Sequence, residues 1–227
     1  MLGYQFRGDV LMSTYRLHGF CQSGNAYKVA LYLNCSGIAW EPVEVDFFGG
    51  QNRTADWRAS VNAMGEVPVL EVEGQRLTQS GAILTWLAER HGNFAPANAE
   101  ERYEALRWML FDNHKFTSYY GTRRFLKCFA PHAPDPAVLA FLLSRVEATF
   151  AIVDKHLSGQ PFLVGKRPTI ADFSLAGYVF YPADETDVDI AKAYPNLHAW
   201  AERIKALPGW KHPYDLLPGK YIKPLER

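Results

Sequence analysis

The spacing of hydrophobic and polar positions over the first ninety residues predicts a small mixed sheet with helices. Apolar residues at helical spacing indicate one helix after the turn Gln22 to Asn25 and a second from Ser80 to Gly92. Period-two alternation or short apolar runs predict four strands, at residues 14–20, 40–47, 67–72 and 76–78. This order fits an α/β domain whose first two strands are parallel, because crossover connections are right-handed.

After His91 the pattern becomes helical. The segment FAPANA is rich in small residues, and helical spacing follows at residues 100–128, 137–157, 169–181 and 197–207. Thr169 and Asp172 have the spacing of a capping box before an apolar run. We therefore divide the chain into an extension at 1–12, an α/β domain at 13–91, a linker at 92–98 and an all-helical domain at 99–227.

Composition excludes several classes of protein. The 227 residues carry 24 Lys and Arg against 24 Asp and Glu, so the formal net charge is zero. Such a chain lacks the general basic surplus that binds nucleic acid, and we expect neither nucleic acid nor an anionic membrane as a partner. No run free of charged residues reaches the ~20 apolar residues of a membrane-spanning helix.

Targeting and cysteine signals favour the cytoplasm. The N-terminal residues lack the basic start and apolar run of a secretory signal. Cys21, Cys35 and Cys128 are odd in number and show no C-x-x-C spacing, so neither a disulfide framework nor a metal site is indicated. We expect a cytoplasmic protein without a bound metal.

Three turns of the α/β domain carry candidate chemistry, and each has a structural alternative. Ser23 and Asn25 precede the first helix, where a hydroxyl and free N–H groups can bind an anion or simply cap the helix. Pro68 opens a strand; a cis bond would expose the backbone of Val67 to a peptide-like ligand, whereas a trans proline would only start the strand.

The third turn has the same two interpretations. Gln79 and Ser80 begin the second helix, so Ser80 and the free N–H groups could bind a carboxylate while Gln79 binds a neighbouring amine or amide. Simple helix capping is the alternative. Together the three turns place a hydroxyl, an extended-peptide edge and a carboxylate site on one small sheet.

In this order and spacing, the chain after Met12 resembles the cytosolic glutathione S-transferase family, in particular its bacterial, serine-type members. The motifs that carry the resemblance are SGNAYKVALYLNCSGIAWEPVEVD, NAMGEVPVLEVEG, LTQSGAILTWLAERHG, PFLVGKRPTIADFSLAGYVF and LPGW. The resemblance implies a thioredoxin-like N-terminal domain that binds glutathione and an all-helical C-terminal domain. It also implies a homodimer, and glutathione as co-substrate without a further cofactor.

The resemblance assigns roles to the three turns. Ser23 matches the hydroxyl that stabilises the glutathione thiolate, and Asn25 matches an asparagine that assists it in related bacterial groups. Val67 and a cis Pro68 match the backbone clamp on the cysteinyl residue. Two further matches are the pair that receives the γ-glutamyl group, Gln79 and Ser80, and a loosely aligned basic residue for the glycine carboxylate, Arg53.

Other positions depart from neighbouring classes of the family. Gly19 and Phe20 stand where tyrosine-type classes keep their catalytic tyrosine, and Cys21 lies two residues ahead of the cysteine of the cysteine-type class. Both classes are therefore disfavoured. A mixed-disulfide route through Cys21 stays a minor alternative to Ser23.

The second-substrate pocket is the least determined part. Asn113 falls on an otherwise largely apolar helix face, as a satisfied core asparagine or as a residue facing the cleft or the partner's glutathione. His114, Phe116 and Tyr119 are neighbours that could line the pocket, whereas Trp108 and Phe111 fit a core better.

These expectations leave three functional hypotheses. The first is a transferase that activates glutathione as a thiolate for attack on a small hydrophobic electrophile. The second uses the same thiolate to reduce a disulfide or peroxide. The third is a non-catalytic binding protein with the same fold, which the joint presence of Ser23, Pro68, Gln79 and Ser80 disfavours.

Overall fold

The computed structural model describes residues 15–224, so the predicted extension at 1–12 lies outside the described residues. Four strands form one sheet in the order β2-β1-β3-β4. They are β1 (Tyr15–Gly19), β2 (Trp40–Glu44), β3 (Val69–Val72) and β4 (Gln75–Thr78). β1 and β2 are parallel, as the sequence predicts, and the pairings β1–β3 and β3–β4 are antiparallel.

Three helices accompany the sheet: α1 (Gly24–Cys35), α2 (Ala55–Ser60) and α3 (Ser80–His91). Both α1 and α3 are followed by a glycine with a positive φ angle, Gly37 and Gly92, and the latter confirms the predicted end of α3. The sequence pattern does not predict the short helix α2, because six residues are too few to show a helical period. It follows a 3₁₀ turn at Gln51–Arg53 and is capped by the Thr54 hydroxyl, which accepts from the Trp57 N–H at 3.2 Å.

The later part of the described chain is helical. It comprises α4 (Ala99–Phe111), α5 (Thr117–Cys128), α6 (Pro136–Leu157), α7 (Ile170–Leu175), α8 (Ile190–Ala193), α9 (Pro195–Lys205) and α10 (Pro213–Leu216). Helix α1 packs against both α3 and α7, so one continuous hydrophobic core joins the two parts. This confirms the predicted fold class, a mixed α/β part followed by an all-α part.

A π-helical turn at Asp112–Phe116 separates α4 from α5, where the sequence predicts one uninterrupted helix over 100–128. The Asp112 carboxylate is fully buried and accepts from Lys28 Nζ at 2.7 Å, Ser174 Oγ at 2.6 Å and Thr117 Oγ1 at 2.6 Å. The turn therefore carries a buried carboxylate that is paired with a cation of α1.

The capping box before α7 is confirmed. The Asp172 carboxylate accepts from the Thr169 backbone N–H at 2.8 Å, and also from the indole N–H of Trp200 at 2.9 Å. Burial raises the pKa of Asp172, while these hydrogen bonds favour its charged form. Helix α7 ends at Leu175, six residues earlier than predicted, and the chain continues as turns that carry Tyr178.

Among the described helices, α6 passes a length and composition test for crossing a membrane. It carries Arg145 and Glu147, and its buried residues Val146, Phe150 and Val153 pack in the core. A core helix of a folded protein passes the same test, so this finding does not overturn the expectation of no membrane span.

Candidate functional site

A cavity of about 530 Å³ lies between the sheet's turns and α5. The residues that line it come from both parts of the chain. They are Phe20, Gln22, Ser23, Asn25, Phe47, Phe48, Gly65, Glu66, Val67, Pro68, Gln79, Ser80, Asn113, Thr117, Ser118, Gly121, Thr122, Arg124, Phe125, Phe129 and Tyr178. All three candidate turns of the sequence therefore open on one space.

Ser23 occupies the N-cap of α1. Its hydroxyl oxygen accepts from the Ala26 N–H at 3.2 Å, and the residue is only 6% exposed. The O–H proton is still available for a second partner in the cavity, beside the positive end of the helix dipole. The structure thus allows Ser23 both roles at once, as a helix cap and as a donor to an anion.

Asn25 is the second residue of α1 and also lines the cavity. Within the described residues, its side-chain oxygen is buried without a hydrogen-bond partner. A buried amide that lacks a partner costs free energy, unless a ligand supplies one. The unpaired atom is an acceptor, so a ligand group that donates a hydrogen bond would satisfy it, and the amide NH₂ group is the part of Asn25 that could donate to an anion.

The Val67–Pro68 peptide bond is cis. Strand β3 begins only at Val69, so Val67 precedes the residues that pair with β1. The polar backbone groups of Val67 therefore lie ahead of the sheet ladder at the cavity wall, where an extended ligand backbone can pair with them. Of the two alternatives left open by the sequence, the cis bond is the one observed.

Ser80 is the first residue of α3 and is 6% exposed, and Gln79 precedes it with a φ of 67°. A positive φ in a residue other than glycine costs on the order of 1–3 kcal/mol and is found most often at functional sites. The Gln79 side chain does not cap the helix; its Nε2 donates to Glu66 Oε2 at 2.9 Å. The free N–H groups of α3 thus remain open toward the cavity.

Phe116 differs from its sequence-based assignment to the second-substrate pocket, whereas Asn113 takes the cleft-facing position of its two alternatives. Phe116 is 1% exposed and stacks on Phe150 in the core, with ring centroids 4.5 Å apart, so its assignment to the pocket is wrong. Phe116 lies at helical spacing from Met109 and Tyr120, which are also buried, so the same periodicity agrees with a core position. Asn113 is exposed and lines the cavity rather than lying in the core.

Three further residues that were assigned to the site from sequence, His114, Tyr119 and Arg53, do not line the cavity. His114 is exposed and Tyr119 packs partly buried against the core, and neither lines the cavity. Arg53 is exposed in the 3₁₀ turn and also lies outside the cavity lining. Another basic residue, Arg58, borders the cavity lining: its guanidinium is 2.9 Å from where a Cβ on the lining residue Gly65 would be.

Five phenylalanines of the cavity lining, Phe20, Phe47, Phe48, Phe125 and Phe129, contact one another and form an aromatic wall. Phe20 and Phe47 stack with centroids 4.7 Å apart, and Phe48 contacts Phe129 at 5.6 Å. Phe125 meets Phe47 edge-on at 6.4 Å. Sequence reasoning missed these residues. The two adjacent phenylalanines before Gly49-Gly50 are a signal for a binding surface, because a loop can leave such side chains exposed.

Arg124 is a buried cation behind this wall. Its guanidinium donates to Glu185 at 2.6 Å, to the Gln22 carbonyl at 2.8 Å and to the Tyr214 hydroxyl at 2.9 Å. Its charge is thus paired with a fully buried carboxylate. The bond to Gln22 fixes the turn that carries Ser23.

Cys21 does not share the cavity with Ser23. It is 1% exposed, and its thiol lies against the chain at Gly219 and Lys220. Burial raises the pKa of Cys21, so the thiol is neutral at pH 7. These facts oppose a mixed-disulfide route through this residue.

Known proteins are similar to this chain in sequence and in fold. Residues 17–97 match the glutathione S-transferase N-terminal domain, and residues 136–203 match the glutathione S-transferase C-terminal domain. A maleylacetoacetate isomerase of Rhizobium meliloti is 32% identical, over 87% of this chain and 95% of its own. A disulfide-bond oxidoreductase of Escherichia coli is 27% identical, over 83% of this chain and 89% of its own.

The solved structures agree with these matches. A possible glutathione S-transferase from Rhodopseudomonas palustris is 35% identical and superposes with a TM-score of 0.81, over 89% of this chain and 98% of its own. A glutathione S-transferase from Xanthobacter autotrophicus is also 35% identical, with a TM-score of 0.80, over 89% of this chain and 98% of its own. The chain belongs to the glutathione S-transferase family.

Proposed function

We propose that this chain binds glutathione in the cavity, holds its sulfur as a thiolate and directs it at a small hydrophobic electrophile. The observation that carries the proposal is the convergence of Ser23, Asn25, the Val67–Pro68 edge and the start of α3 on one space. The γ-glutamyl carboxylate binds Ser80 and the N–H groups of α3, with Gln79 beside it. The cysteinyl backbone pairs with Val67.

The sulfur then lies at the N-terminus of α1. A thiol with a pKa of about 8.5 needs roughly 2.7 kcal/mol of preferential anion stabilisation to lower that value by two units. A hydrogen bond to a charged group supplies about 1.5 to 3 kcal/mol, and the end of a helix dipole about 0.3 to 1 more. Ser23 therefore suffices without a separate base, and Asn25 offers a second donor.

The electrophile binds against the aromatic wall. The rings of Phe47, Phe48 and Phe125 offer apolar surface next to the sulfur position, and two of them are partly exposed. In the transfer step the thiolate attacks carbon, the carbon–sulfur bond forms and the leaving group departs with its electron pair. Glutathione is a co-substrate in this scheme, which requires no further cofactor.

The test compares Ser23→Ala with Thr54→Ala. Both changes remove a helix-capping hydroxyl that accepts an N–H at 3.2 Å, but Thr54 caps α2 and lies outside the cavity lining. We expect Ser23→Ala to raise the kinetic pKa of bound glutathione by about one to two units, with chlorodinitrobenzene as electrophile. Thr54→Ala and Cys21→Ala should leave that pKa unchanged.

Equal pKa values for the Ser23 and Thr54 variants would mean that Ser23 serves only as a cap. Loss of activity in Cys21→Ala alone would overturn the assignment of the active hydroxyl. The same enzyme assayed with a glutathione-reducible disulfide tests the second hypothesis, which the oxidoreductase relative supports. Binding of immobilised glutathione without turnover of either substrate would favour the non-catalytic hypothesis.

We also propose a cytoplasmic homodimer. Tyr103, Leu106 and Leu110 are more than half exposed and follow one face of α4 at helical spacing, which leaves an apolar stripe for a partner to cover. A stable interface of this kind buries about 1,200 to 2,000 Å². Sedimentation should give the mass of two chains at micromolar concentration, and the mass of one chain would reject the dimer.

A further inference from the structure

Tyr178 stands between two helices that each present a glycine to its ring. A Cβ on Gly24, the first residue of α1, would lie 2.5 Å from the ring carbons Cδ2 and Cε2. A Cβ on Gly121, in α5, would lie 2.9 Å from Cζ and 3.2 Å from the hydroxyl oxygen. Neither glycine has a positive φ, so close approach of neighbouring atoms explains their presence. At Gly121 these atoms belong to the Tyr178 ring, and at Gly24 they are the ring and the Gly177 carbonyl oxygen, which would also lie 2.5 Å from the Cβ.

The two glycines hold the Tyr178 ring where its hydroxyl can reach the cavity. Tyr178 lines the same space as Ser23 and Asn25, and the Arg124 guanidinium lies 5.9 Å from its ring centroid. Residues from both parts of the chain therefore set the position of the Tyr178 hydroxyl. It lies near the N-terminus of α1, where the glutathione sulfur is expected.

The surroundings of the hydroxyl make it a hydrogen-bond donor. Burial raises the pKa of Tyr178, and the Arg124 charge and the backbone N–H groups of Gly24 and Asn25 act in the opposite direction. With a raised pKa, the phenol keeps its proton at neutral pH. A protonated phenol that lines the cavity can donate its O–H to an acceptor bound there.

We propose that Tyr178 is a further catalytic residue, a second hydroxyl donor to the glutathione sulfur beside Ser23; this inference rests on the proposed function. When the thiol ionises, its S–H bond breaks and the proton passes to water. Tyr178 keeps its own proton and donates a hydrogen bond to the resulting anion. The hydrogen bond weakens when the carbon–sulfur bond forms, because the sulfur then loses its negative charge.

The experiment uses Tyr178→Phe, which keeps the ring between the two glycines and removes only the hydroxyl. The pKa of bound glutathione is read from the ultraviolet absorbance of the thiolate during a pH titration, and independently from the pH dependence of kcat. We expect a rise of about one unit, the effect of losing one hydrogen bond to a charged group.

Tyr32→Phe is the matched control. Tyr32 lies on α1, outside the cavity lining, and its hydroxyl donates to the Asn93 carbonyl at 2.7 Å. Its loss removes one tyrosine hydroxyl and one hydrogen bond without touching the sulfur position, so the thiolate pKa should not change. If the pKa of bound glutathione is the same in Tyr178→Phe as in Tyr32→Phe, while Ser23→Ala raises it, this inference is overturned and the proposed function is not.

A second test of the inference uses Gly121→Ala, which leaves Tyr178 itself unchanged. The new methyl group would displace the hydroxyl, so the thiolate pKa should rise, whereas Gly159→Ala meets no atom within 4 Å and should not change it. An unchanged pKa in Gly121→Ala would also count against the inference. If the wild-type protein shows no bound thiolate at neutral pH, the proposed function itself fails.

Discussion

The cavity has two halves that are built by different means. The glutathione half comprises the turns that carry Ser23, Asn25, Val67, Pro68, Gln79 and Ser80, and its polar groups are backbone and side-chain groups at the ends of helices and strands. The aromatic half comprises Phe20, Phe47, Phe48, Phe125 and Phe129, and it consists of side chains. Under the proposed function, the site for the constant ligand, glutathione, is set by local element boundaries, whereas the variable electrophile meets side chains that tertiary packing assembles.

A buried ion pair joins the two halves. Lys28 extends from α1, the helix of Ser23, to Asp112 at the start of the π turn, and both side chains are fully buried. The next residue, Asn113, lines the cavity with its side-chain nitrogen 3.0 Å from where a Cβ on Gly81 would lie. The ion pair thus sets the position of α4 and α5 relative to both helix N-termini.

The largest effect is expected from breaking this link with Lys28→Met. The variant leaves the Asp112 carboxylate buried without its cation, which typically costs about 3 to 5 kcal/mol. Urea unfolding should report a loss of that size in the free energy of unfolding. Lys205→Met, which removes an exposed partner of Glu202 at 2.7 Å, should cost less than about 1 kcal/mol. Equal losses in the two variants would contradict the role of the buried pair.

The glutathione half could be predicted from sequence because its signals are local. The Ser-Gly-Asn turn, the proline at the start of β3 and the Gln-Ser turn before α3 each stand at an element boundary that periodicity predicts. The structure brings all three to the cavity and makes the Val67–Pro68 bond cis. Only the loosely aligned Arg53 lies outside the cavity lining, because the length of a loop does not determine its path.

A substitution confined to this half should affect glutathione affinity and leave the chemical step alone. Ser80→Ala removes a hydroxyl whose contact with the γ-glutamyl carboxylate is the same in ground and transition states, so it should raise KM for glutathione about tenfold. kcat at saturation should stay within about twofold. Ser144→Ala, an exposed serine on α6, is the control. A fall in kcat with unchanged KM would mean that the Gln79–Ser80 pair is misplaced.

The aromatic half could not be predicted in the same way. The periodic pattern over 100–128 predicts one helix, whereas the structure has a π turn whose Asp112 pairs with Lys28, more than eighty positions earlier in the chain. Phe116, a sequence neighbour of Asn113, lies in the core instead of the pocket. Tyr178 falls within a predicted helix that ends at Leu175 in the structure, so its position between Gly24 and Gly121 has no local sequence signal.

The smallest effect is expected in the aromatic half. Phe125→Ala removes one partly exposed ring from the wall, and aromatic contacts of this kind contribute about 0.5 to 1.5 kcal/mol beyond the area that they bury. The value of kcat/KM for an aromatic electrophile should fall about threefold to tenfold, while KM for glutathione stays unchanged. Phe141→Ala removes an exposed ring on α6 outside the cavity lining and should change neither quantity. If Phe125→Ala instead weakened glutathione binding, the two halves would be coupled, and the division of the cavity would be wrong.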